Sequence, residues 1–345
     1  MKAPVVLLPE NPMPEGGEAF WLTAQDGARL RVFTWKGGDV SRGTAFVFGG
    51  RTEFVEKYFE VVGELRARGF AVVSMDWRGQ GLSDHMLAEW RKGHIDDFAT
   101  FDRDLARLME EVAPGFPKPW LSLSHSMGGQ ILIRAAHDHP EWFSRHAFSA
   151  PMLGLRFPNR IMEKTIRGLT GFLHLLGRDE AYVPGGSAKA NDEIPFERTI
   201  LTHDEARYEL LQSLVRAEPK LGLGSATVGW LHAAFLSMEM TAAPSFLADI
   251  EAPVLIARAL HDALISPASL EHAASHLRDG TLVTVPESQH LLLIFRFPSL
   301  AIFFFPFSFF LFLLSLFFIL FSYPTLLASL SFPLFSFSSF FFHSF

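Results

Sequence analysis

The chain has 345 residues and no cysteine, with a formal net charge of −7. That length suits one large α/β domain carrying an insertion, or two domains. The absence of cysteine excludes disulfides and suits a reducing cytoplasm. No basic block occurs, which excludes the phosphate-backbone binding that nucleic acid requires.

The first segment, MKAPVVLLPENPMPEGG, lacks the length and cleavage pattern of a secretory signal. EAFWLTA and ARLRVFTW then read as a hairpin around Gln25, Asp26 and Gly27. TAFVFGG, Thr44 to Gly50, is a buried apolar strand ending in glycines. Glu53 to Arg68 has helical spacing, with Val55, Tyr58, Phe59, Val62 and Leu65 on one side. FAVVSMD is the next strand, Asp97 to Val112 an amphipathic helix, and PWLSLS a further strand. Met127 to His139 is a helix stopped by Pro140, and HAFSAPM a strand. Alternation ceases from Leu153 to about Ile250, where the text is helical and irregular. APVLIARA, the helix Pro267 to Leu277 and GTLVTVP restore it. Strands alternating with helices predict a mostly parallel sheet covered on both faces. The expected division is a core of 1–150 and 251–294 with a helical insertion over 151–250.

Ser126 stands between strand and helix in WLSLSHSMGG. A tight strand-to-helix turn strains its central residue, and the small Ser124 and Gly128 leave room for it, with Gly129 following. Such a turn raises the hydroxyl above the sheet edge. A serine nucleophile needs a base oriented by a carboxylate. Asp262 follows the strand PVLIARA and His290 follows TLVTVP, so both fall in loops at strand carboxyl ends, where α/β sheets build their sites. The expected oxyanion donors are the backbone N–H groups of Met127 and Arg51. Gly49 and Gly50 would let that loop approach the substrate. No metal or cofactor is required. Glu53 reads as a helix N-terminal carboxylate, Arg78 and Asp84 as loop-ordering residues, and His125 as a packing residue. Of the rival acids, Glu271 lies within a helix and Asp279 at the opposite end of the sheet.

SHSMGG, DWRGQGLSD and GGRTEFVEKY together resemble the monoacylglycerol lipase and lysophospholipase group of α/β-hydrolases, known broadly as the serine aminopeptidase type. The resemblance spans roughly residues 15 to 293. Its Gly-Arg-x-Glu stretch is closer to the bacterial lysophospholipases than to the His-Gly form of monoacylglycerol lipases. LTHDEARYELLQSL and TVGWLHAAFLSM resemble the cap of the former. It implies an α/β-hydrolase fold with the helical insertion as a lid. It also implies Ser126 as nucleophile, Asp262 as acid and His290 as base in hydrolysis of a single-chain lipid ester. Lysophospholipid comes first, monoacylglycerol or a general carboxylic ester second. A non-catalytic lipid-binding or membrane-tethered protein is the reading from another class. Phe172, Leu173, Leu175, Leu176, Trp230, Phe235, Leu236 and Met238 either line an acyl channel or form the insertion's own core. The family pattern has Gly where Ser124 stands and often Gly where Ala259 stands.

From Ala301 onward the chain holds 17 of its 36 phenylalanines and no glycine or charged Lys, Arg, Asp or Glu. Ser299 to Ser322 is long enough to span a bilayer, which would place the protein at a membrane. Phe, Ser, Leu and Pro also share pyrimidine-rich codons, so a shifted reading frame yields the same text. Loss of the family's C-terminal helix pattern after Leu293 favours that reading for 295–345.

Overall fold

A computed structural model describes residues 1–36, 38, 42–190 and 193–294. The tail expected at 295–345, with its membrane-anchor and shifted-frame readings, lies outside the described residues. Strands β1 (Gly17–Thr23) and β2 (Arg29–Trp35) form the expected hairpin. Gly27 takes φ 89° in its turn, a conformation open to glycine at no steric cost. Strands β3 (Thr44–Phe48) and β4 (Ala71–Met75) are buried at every position. That is why they read as unbroken apolar runs rather than as alternation.

The remaining strands are β5 (Trp120–His125), β6 (Arg145–Ser149), β7 (Val254–Ala259) and β8 (Gly280–Val285). They assemble one eight-stranded sheet in the order β1-β2-β4-β3-β5-β6-β7-β8. Every pairing is parallel except β1 with β2 and β2 with β4. Helices α1 (Phe59–Ala67), α2 (Ala99–Glu111) and α3 (Met127–Asp138) connect the first parallel strands. This is an α/β-hydrolase fold.

One expected element divides. The helix read over Glu53 to Arg68 is a short 3-10 turn, Val55–Tyr58, followed by α1. Phe54 is extended, the Val55 amide donates to Asp76 Oδ1 at 2.9 Å, and the Glu53 carboxylate turns back to the Gly50 amide at 2.5 Å. These tertiary acceptors hold the chain out of helix where periodicity alone continues it.

Between β6 and β7 run α4 (Arg160–Leu175), α5 (Glu205–Ala217), α6 (Val228–Thr241) and the short α7 (Pro244–Ala248). Asn159, Asp204 and Thr227 cap α4, α5 and α6 by accepting backbone N–H bonds, so each helix starts where a short polar side chain stands. Helix α6 is buried along most of its length, and Gln130 of α3 donates to its Ser237 and Thr241 hydroxyls. Helix α4 differs: only Thr170 is buried, and Leu175 is 82% and Phe172 57% exposed. Helix α8 (Pro267–His276) then precedes β8. Among the described residues no helix is long and apolar enough to cross a membrane.

Candidate active site

Ser126 has φ 49° and ψ −114°, a strained conformation for a side chain with a Cβ. Surrounding bonds hold it there. Its N–H donates to Ser149 O at 3.0 Å, and its carbonyl accepts from Gly129 and Met152, both at 2.9 Å. The turn tolerates little bulk: a Cβ at Gly128 would lie 2.6 Å from Gly49 O, and one at Gly129 2.5 Å from Pro151 Cβ. Ser124 is fully buried, and its hydroxyl has no hydrogen-bond partner among the described residues.

Ser126 Oγ lies 3.0 Å from His290 Nε2, and His290 Nδ1 lies 2.9 Å from Asp262 Oδ2. A carboxylate only accepts, so Nδ1 carries the imidazole proton and Nε2 is left to accept from the hydroxyl. Asp262 Oδ1 accepts the Leu264 and Ile265 amides at 2.8 and 3.0 Å. Burial pushes its carboxyl up, but His290 and those two amides outweigh burial and hold it below the usual carboxylate range. The loop carrying His290 is tied to both neighbours. Ser288 O accepts from His261, and the Leu291 amide donates to Leu201 O of the insertion at 3.0 Å. Glu271 instead pairs with Arg258, and the Asp279 carbonyl accepts from Val254 at the start of β7, far from these loops in the sheet.

The loop after β3 reaches the same place. A Cβ at Gly50 would sit 2.9 Å from Ser126 Cβ. Gly49 O accepts from Trp77 Nε1 at 3.0 Å, and Gly50 O from Gln80 Nε2 at 2.6 Å. The Gly50 and Thr52 amides donate to Glu53 and Gln80. The amides of Arg51, between them, and of Met127 make no hydrogen bond among the described residues.

Sequence reasoning missed a buried cluster behind this loop. Glu53 accepts from Gly50, Lys57 and Tyr58, and its Oε1 lies 4.0 Å from His125 Nε2. Burial raises the Glu53 carboxyl, yet Lys57 and its other partners bring it down to about 2. Burial pushes His125 down to about 3, so it is neutral. Its ring centroid is 4.7 Å from that of His290, and its Nδ1–H donates to Ser149 O at 3.0 Å. The i, i+4 spacing of Glu53 and Lys57 was the available signal, though it occurs as often on solvated helix faces. Arg78 sits between Asp104 and Asp26, and Asp84 pairs with Arg29, away from Ser126.

A cavity of about 450 Å³ opens onto Ser126, His125 and His290. Met152, Leu155, Ile194, Leu201, Leu211 and Leu291 supply apolar wall. Of the insertion residues offered as channel lining, Trp230 does line it. Phe235 and Met238 belong to the main core, while Phe172, Leu175, Leu176 and Leu236 are exposed and Leu173 is half-buried.

The model of the family described as "Serine aminopeptidase, S33" matches residues 39–294, which include every strand from β3 onward and Ser126, Asp262 and His290. The chain belongs to this hydrolase family. Lysophospholipase L2 of Escherichia coli K12 is 31% identical over 244 residues, covering 67% of this chain and 68% of that one. Rat monoglyceride lipase is 32% identical over 133 residues, 38% and 42% of the two chains. A soluble variant of the Saccharomyces cerevisiae monoglyceride lipase superposes with a TM-score of 0.63 over 80% of this chain and 88% of its own, at 19% identity. At that identity the likeness supports the fold alone.

Proposed function

We propose that this S33 hydrolase is a lysophospholipase: a serine esterase releasing the acyl chain of a single-chain lipid. Ser126 is the nucleophile, His290 the general base and Asp262 the group that orients it. The observation that carries this reading is the continuous chain Ser126 Oγ, His290 Nε2, His290 Nδ1, Asp262 Oδ2, with links of 3.0 and 2.9 Å. In the first step Ser126 Oγ bonds to the ester carbonyl carbon while its proton passes to His290 Nε2. The carbonyl oxygen becomes an oxyanion, and the undonated amides of Arg51 and Met127 are its donors, each worth roughly 2.7–4 kcal/mol. Collapse breaks the acyl–oxygen bond, and the leaving alcohol takes the proton from His290. Water, deprotonated by the same imidazole, then frees the fatty acid and restores Ser126.

The insertion over 151–250 acts as the cap. Its Ile194 and Leu201, with Met152 and Leu155 at its start, provide the acyl wall. The exposed Ile161, Phe172 and Leu175 of α4, with Leu176 just past its end, meet the surface of aggregated lipid. The choice of lysophospholipid over monoacylglycerol follows the longer match to the E. coli relative, 244 residues against 133.

Fatty-acid release from lysophosphatidylcholine and monoacylglycerol, measured on the chain and its Ser126→Ala variant, tests this. The variant should lose roughly 10⁴-fold or more in kcat, together with labelling by a fluorophosphonate. Residual release at wild-type rate in Ser126→Ala would reject the nucleophile. Release from monoacylglycerol alone would make the protein a monoacylglycerol lipase instead.

A further inference from the structure

The cavity at Ser126 is lined by three cations, Arg51, Lys57 and Arg198, and by one carboxylate, Glu53. Glu53 is consumed by Lys57, Tyr58 and the Gly50 amide. Among the described residues neither Arg51 nor Arg198 has a carboxylate partner. The two differ in their fixing. Arg198 is exposed. Arg51 is held: Nη2 donates to Gly224 O at 2.9 Å, and Cζ lies 5.1 Å above the Trp230 ring. Its Nε is buried and has no hydrogen-bond partner among the described residues. Burial pushes this guanidinium down to about 10, so it stays charged near neutral pH.

An unpaired cation held in a partly apolar cavity is costly unless something compensates it. Trp230 and Gly224 orient the guanidinium plane without neutralising it. That leaves N–H donors in the fork geometry that matches two oxygens of a phosphate. The neutral head of a monoacylglycerol offers no such charge.

We propose that the Arg51 guanidinium receives the phosphate of a single-chain phosphodiester lipid and so selects it over the neutral glyceride. This rests on the lysophospholipase reading and assigns the side chain of Arg51 a role separate from its backbone amide. Arg198, at the exposed side of the cavity, adds to the same positive field. The acyl chain takes the apolar wall and its ester carbonyl faces Ser126.

The test has a kinetic and a binding arm. Arg51→Gln keeps the backbone amide but removes the charge. The ratio of kcat/KM for lysophosphatidylcholine to that for monoacylglycerol should fall about 10- to 100-fold, the range for losing hydrogen bonds to a charged group. Arg51→Lys should recover part of that ratio. An equal fall on both lipids would show that Arg51 only braces the loop, and an unchanged ratio would equally overturn the proposal. In the binding arm, the Ser126→Ala protein is titrated with dodecylphosphocholine and with 1-O-dodecylglycerol, neither of which has a carboxylic ester. Binding of the phosphodiester at least tenfold tighter is expected. Equal affinity would overturn the proposal without any Arg51 variant having to fold. Should neither lipid ester be cleaved while the phosphodiester still binds selectively, the catalytic reading fails and this one stands.

Discussion

Glu53 and Glu56 lie three residues apart, both are buried, and they serve different regions. Glu56 faces Arg31, which spans Glu56 and Asp76 through bonds of 2.6 to 2.8 Å. Arg31 donates also to Pro4 O, and Asp76 accepts the Val55 and Leu82 amides. This cluster is closed: its three side chains are wholly buried or nearly so, and the cavity does not reach it. Glu53, with Lys57 and His125, is also buried but lines the cavity beside Ser126. Burial and ion pairing are therefore shared by a cluster closed on itself and by one that faces the candidate site. Access to the cavity separates them.

The largest effect should come from opening each cluster in turn. Arg31→Met leaves two carboxylates facing one another and should cost about 3–5 kcal/mol of stability, seen in urea unfolding. Activity per folded molecule should be nearly unchanged. Glu53→Ala frees the Gly50 amide and strands Lys57. It should lower kcat about 100-fold through displacement of the Arg51 loop, beyond any loss of folded protein. Equal losses of specific activity in the two variants would erase the distinction.

A second effect is set by pH. His125 is held neutral at about 3 in the folded protein against 6.5 for the free group. Its folded value is depressed, so between those limits the unfolded chain binds the proton first. Stability is full above pH 6.5 and declines as pH falls toward 3. From pH 7 to 5 the share of this one histidine is about 2 kcal/mol. Below pH 4.5 Glu53, held at about 2, adds a further loss as its carboxylate protonates in the unfolded chain. His125→Gln should shrink the difference between unfolding free energies at pH 7 and pH 5 by that share. If the difference persists in full, the neutral buried imidazole is misassigned.

The smallest effect concerns completeness. Every side chain of the Arg31 cluster has hydrogen-bond partners, whereas Ser124, under the elbow, has a buried hydroxyl with none among the described residues. Ser124→Ala should stabilise the protein by about 1 kcal/mol, read as a rise in Tm, because an unmade hydrogen bond is removed without leaving a large void.

Much of this was legible beforehand. Unbroken apolar runs such as TAFVF and AVVSM marked central parallel strands, and strand-end positions marked Ser126, Asp262 and His290 as one group. The elbow was legible because its steric need for small residues is written in adjacent positions. The turn at Val55 was not, since its acceptor, Asp76, stands 21 residues further on, just past β4. The apolar wall of the cavity was not either. Apolar residues on α4 and α6 have similar composition, and only packing against α3 or exposure to solvent sorts them.

By itself the sequence determined the alternation of elements, the sheet they form and the order of its candidate catalytic residues, because these depend on local periodicity and turn chemistry. Only tertiary structure decided which charges are spent and which remain. Arg31 and Arg51 look alike in the sequence, yet one is saturated by two carboxylates and the other meets a carbonyl, an indole face and the cavity. The physical reason is that a charge's role is set by what surrounds it in space, over distances of a few ångströms that join residues far apart along the chain.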